Sequence, residues 1–165
     1  EPDAILGHPE VRKIIDFGQP VALLLVAILH FIEDEEDPAG IVACLRDAMA
    51  PGSYLAISHA TGDFDLVAAT TAAAAYDKAA APMVLRSHAE VERLFNGFAL
   101  VDPGLVQVSH WRPDRDQAAG HQEVWAYGGV GRKTAHPTPQ PATRAAWAVL
   151  GGPAPPPQGG DRSRQ

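Results

Sequence analysis

Two histidines carry the first chemical suggestion in this sequence of 165 residues. His30 follows the apolar run VALLLVAIL, and His59 closes SYLAISH. An imidazole titrates near neutrality, so either side chain is able to take a proton from a hydroxyl or amine acceptor. A histidine at the end of a strand is also well suited to bonding a loop carbonyl, and that structural role stands beside the catalytic one at both positions. Other constellations fail on chemistry. The acids Glu33 to Asp37 are contiguous, with no glycine turn and no alternating ligand pattern, so they read as a solvated loop and helix cap rather than a calcium loop. Ser58 and His59 are neighbours in a strand and point to opposite faces, and no G-x-S-x-G elbow is present. The seven histidines show no paired ligand spacing, and Cys44 stands alone. No metal site is therefore expected, nor an intramolecular disulfide.

The elements that must position these residues follow from periodicity. Pro9 to Ile15 reads as a short helix stopped by Gly18 to Pro20. Val21 to Phe31 is a nearly continuous apolar run and fits a strand covered on both faces in a parallel sheet, with a buried helix as the competing reading. Asp37-Pro38 opens a helix with the apolar stripe Ile41, Val42, Leu45, Ala48 and Met49, which Pro51-Gly52 ends. Ser53 to His59 is a second strand, parallel to the first. An alanine-rich helix is expected over Phe64 to Ala80, then a helix with a capping box at Ser87 and Glu90, closed by Asn96-Gly97. Leu100-Val101, Leu105 to Val108 and Val124 to Val130 read as late strands. If the two strands before His30 and His59 are neighbours, both imidazoles face one crevice at their carboxyl ends, where open α/β sheets bind ligands.

Composition bounds the class. Acids outnumber bases 20 to 13, giving a net charge of −7, which argues against a nucleic-acid partner held by phosphate neutralisation. The longest apolar run, Val21 to Leu29, is too short to span a bilayer. A soluble, cytoplasmic α/β protein is expected. Residues 134–165 hold seven of the 15 prolines and are expected to form a disordered tail after a folded unit of residues 1–133. The sequence begins at Glu1 rather than Met, so a fragment is expected.

The stretch PVALLLVAILHFIEDEEDPAGIVACLRDAMAPGSYLAISH, Pro20 to His59, resembles the fourth-strand to fifth-strand section of class I S-adenosylmethionine-dependent methyltransferases. The nearer resemblance is to a small family of S-adenosyl methyltransferases of unknown substrate. It is carried by Ile5-Leu6 with His8-Pro9-Glu10-Val11-Arg12, Asp16-Phe17, Leu94-Phe95 with Gly97-Phe98, and Leu100-Val101 with Pro103-Gly104-Leu105-Val106. It continues in Trp111-Arg112-Pro113 and Gly129-Val130-Gly131-Arg132-Lys133.

That resemblance implies the carboxyl-terminal half of a Rossmann-like sheet, mostly parallel with an antiparallel last strand and helices on both faces. In strand order 3-2-1-4-5-7-6 the chain would supply strands four to seven. The family's glycine-rich first turn, its acidic second-strand end and its Asp-x-Arg do not occur here, and no G-x-G-x-x-G turn is present. The resemblance implies S-adenosyl-L-methionine as cofactor, with Ala27, Ile28, Leu29 and His30 under its methionine and ribose, Ile5 and Leu6 beside the adenine, and an unidentified methyl acceptor. Catalysis is expected of a complete enzyme, and weak cofactor binding of this chain alone. The competing expectation is a non-catalytic half-domain that self-associates through the exposed edge of its sheet.

Overall fold

The computed structural model describes residues 1–75, 82–113 and 124–135. The expected tail at 134–165 lies almost wholly outside the described residues, as does the end of the alanine-rich helix. Two short helices open the chain, α1 (Pro2–Gly7) and α2 (Pro9–Ile14). Strand β1 (Ala22–Val26) leads to α3 (Pro38–Ala48), then to β2 (Tyr54–Ala60). Helices α4 (Leu66–Ala74) and α5 (His88–Arg93) follow, and β3 (Phe98–Leu100), β4 (Val106–Gln107) and β5 (Ala126–Lys133) complete the sheet.

The sheet runs β1-β2-β5-β3, with β4 also on β5. β1 and β2 are parallel, with Leu23 opposite Leu55 and Leu25 opposite Ile57. β5 runs antiparallel to β2, β3 and β4, so it alone opposes the other four strands. This is the order expected for strands four, five, seven and six, the sixth being split into β3 and β4.

Helix α3 starts where Asp37-Pro38 predicts. Asp37 adopts a left-handed φ of 54° and its carboxylate accepts the Gly40 N–H. Its other end is held by Lys133, a buried lysine at the end of β5 whose ammonium donates to the Arg46 and Met49 carbonyls. Val42 of α3 and Val91, Leu94 and Phe95 of α5 and the turn after it bury against Leu25, Leu55 and Ile57 of the sheet. The glycines of β5 serve this packing. A Cβ on Gly131 would stand 2.7 Å from that of Phe98, so only glycine lets that aromatic approach the strand.

The opposite face is bare at the β1 end. Leu24 is 61% exposed, Val26 53% and Tyr54 42%, all on the side away from the core cluster. The expectation of a strand covered on both faces therefore fails for β1, where no described element shields the second face. The strand is also shorter than its apolar run suggests. Ala27 takes a left-handed φ of 54° and the chain leaves the sheet, winding Leu29–Phe31 into a short 3-10 turn.

Candidate active site at the strand ends

The turn after β1 is fastened to β2 at its first residue, where the Ala27 N–H donates to Ser58 Oγ at 3.0 Å. Leu29 then buries completely and His30 nearly so, while Ile28 remains 46% exposed. His30 Nδ1 accepts weakly from the Ala60 N–H at 3.4 Å, which places its ring proton on Nε2. The His30 and His59 rings meet edge to face, 5.7 Å between centroids. Sequence reasoning brings these two histidines together and the structure does so, but beneath the surface.

His59 is fully buried on the core face of β2. Its Nδ1 lies 2.8 Å from the Ala60 carbonyl, and its Nε2 lies 2.9 Å from an Arg86 nitrogen. A carbonyl only accepts and a guanidinium only donates, so Nδ1 carries the proton and Nε2 takes the Arg86 hydrogen. Neither nitrogen is left for a substrate. Burial pushes His59 down to about 4, with the Arg86 charge acting in the same direction, and burial beside Arg86 also lowers His30. Both rings are thus neutral at pH 7.

Arg86 is the centre of this arrangement, and nothing in the sequence singled it out. It is 6% exposed. One terminal nitrogen donates to the Leu29 carbonyl at 3.0 Å and to His59, and the other donates to the Ile32 carbonyl at 3.0 Å and pairs with Asp34. The backbone around it completes a strap: Val84 N–H donates to the His30 carbonyl and Arg86 N–H to that of Ala60. The strap therefore crosses the carboxyl ends of β1 and β2 and fixes the turn between Ala27 and Asp34. The only sequence signal was one cation closing the apolar stretch Met83-Val84-Leu85.

Ile5 and Leu6, the residues expected beside the adenine, belong to another element. They sit on α1, which packs on α3, where Cys44 and Asp3 meet through a thiol hydrogen bond. Ile5 is exposed and Leu6 buried.

A parallel pair whose carboxyl ends are roofed by an apolar turn, joined to an antiparallel strand that opposes all others, narrows the choice of family. The model of the S-adenosyl methyltransferase family matches residues 1–134. The chain belongs to that family. Two solved structures agree. A DUF574 family protein from Streptomyces avermitilis is 44% identical with a TM-score of 0.76, over 80% of this chain and 51% of its own. A protein from Thermobifida fusca, provisionally assigned as a methyltransferase, is 37% identical with a TM-score of 0.74, over 81% of this chain and 51% of its own. This S-adenosyl methyltransferase family chain thus spans about half the length of both. Among curated proteins there is no match.

Proposed function

We propose that this chain supplies one wall of the active site of an S-adenosylmethionine-dependent methyltransferase acting on an acceptor still to be identified. The observation that supports this most is the ordered 44% identity with a solved member of the family across four-fifths of the chain. When bound, the cofactor supplies an electrophilic methyl group on a sulfonium. The residues present fit one side of it: Ala27 and Ile28 form an exposed apolar rim at the end of β1, held in place by Ser58 and Arg86. Leu29 and His30 lie under that rim and support it rather than touch a ligand. His59, with both nitrogens engaged, is a positioning residue, so the proton of an acceptor leaves by another group or to water.

The test is titration of the isotope-labelled chain with S-adenosylhomocysteine, read by nuclear magnetic resonance. Weak, saturable shifts are expected at Ala27, Ile28 and Leu29. Their absence, with shifts elsewhere or nowhere, would remove these residues from the cofactor site.

A second reading has an observation of its own. β1 pairs only with β2 among the described residues and exposes Leu24 and Val26 beside its free edge. Such an edge is a template for another strand, which favours a module that self-associates.

A further inference from the structure

We propose that Asp63 anchors an acceptor-side subsite for a positively charged group, an alkylammonium carried by the substrate, with Phe64 as its aromatic wall and the buried Tyr127 hydroxyl orienting the carboxylate. This deepens the methyltransferase reading and rests on it for the word acceptor, though not for the binding chemistry. Asp63 lies three residues beyond the end of β2, on the same end of the sheet as Ala27 and Ile28, because β1 and β2 are parallel. In an open α/β sheet that end faces the ligand crevice.

The carboxylate is fixed from behind by neutral donors. Its Oδ2 accepts from the Tyr127 hydroxyl at 3.0 Å and from the His88 backbone N–H at 2.8 Å. The Asp63 N–H donates to Thr61 Oγ1 at 3.1 Å, and Thr61 is itself fully buried. No donor among the described residues meets the second oxygen, Oδ1, and Asp63 is exposed. No cation of the described residues pairs with Asp63. An oriented carboxylate without a cation is a site that a ligand cation completes, and its ordering cost is already met by folding.

The surroundings select the kind of cation. Phe64 is 40% exposed, with its ring 5.1 Å from that of Tyr127, whose other flank meets His88 edge-on at 5.0 Å. Tyr127 is itself buried, so Phe64 presents the open ring. An exposed aromatic ring next to a carboxylate favours an organic ammonium over a hydrated metal ion, since the ring attracts the charge while shedding water from the alkyl part. Tyr127 remains a donor throughout the neutral range, because burial and the Asp63 charge push its hydroxyl up to about 12. The anchored ammonium is a recognition handle; the atom that receives the methyl group lies elsewhere on the acceptor.

The probes are benzylammonium chloride and the neutral benzyl alcohol, titrated at pH 7 into the isotope-labelled chain. Saturable shifts at Asp63, Phe64 and Tyr127 are expected with the ammonium alone. Asp63→Asn keeps an acceptor for Tyr127 but removes the charge, and should weaken binding about ten-fold. Phe64→Leu should weaken it about three-fold. Equal shifts with benzyl alcohol, or undiminished binding to Asp63→Asn, would overturn the subsite. The S-adenosylhomocysteine shifts at Ala27 to Leu29 are to be unchanged by Asp63→Asn. Their absence from the unsubstituted chain, with the ammonium shifts intact there, would overturn the cofactor site and leave the cation site standing.

Discussion

At the scale of single residues, burial keeps both histidines neutral, and the guanidinium of Arg86 adds to that while occupying His59 Nε2. Replacing Arg86 by methionine leaves the Leu29 and Ile32 carbonyls and His59 Nε2 short of a donor in a buried place. Urea denaturation of Arg86→Met should show a loss of about 3 kcal/mol. Lysine should recover little of that, since it lacks the planar fork that reaches two carbonyls and a ring together. His59 itself makes stability depend on pH. An unfolded histidine titrates near 6.5 and the folded one near 4, so between those values only the unfolded chain gains the proton. The stabilisation is complete above pH 6.5 and falls as pH drops towards 4, by about 3 kcal/mol in all. A series of urea midpoints from pH 7.5 to 4.5 should show this slope, and His59→Gln should flatten it. His30, lowered for the same leading reason, contributes with the same sign. Both histidines were visible as candidates in the sequence. Their burial was not, because a long-range partner 27 residues away from His59 decides it.

At the scale of elements, the start of α3 was legible because its cause is local. Asp37 and Pro38 carry the cap within four residues, and the Gly40 N–H is where a capping carboxylate needs it. The cap also sits at a positive φ, which separates three substitutions. Asp37→Asn should be nearly neutral, Asp37→Gly should lose the cap but relax the backbone, and Asp37→Ala should lose both, costing about 2 kcal/mol by thermal unfolding. The end of β1 was not legible for a matching reason. An apolar run that continues through Leu29 to Phe31 fits a buried turn as well as a buried strand, and periodicity does not separate them. What ends the strand is the bond from Ala27 to Ser58, 31 residues later. The same limit explains Asp63 and Tyr127, which are 64 residues apart and are joined only by the antiparallel register of β2 with β5.

At the scale of the whole molecule, the strand order β1-β2-β5-β3 follows from the motifs that resemble the family, while the distribution of exposed side chains does not. A sequence shows that Leu24 and Val26 are apolar but not which faces are covered. No helix among the described residues is long and apolar enough to cross a membrane. The bare face and edge of β1 predict association that grows with concentration in sedimentation velocity. With a net charge of −7 on each copy, added salt should strengthen it by screening repulsion. Leu24→Lys with Val26→Lys should abolish it without altering the fold. The strap at residues 84–86 sets a clock as well as a shape. The amides of Ala60, Val84 and Arg86 are all engaged in it, to His30 Nδ1, the His30 carbonyl and the Ala60 carbonyl. None of them reaches solvent until the two strand ends part, so in deuterium exchange all three should share one opening rate, slower than that of the exposed rim they carry.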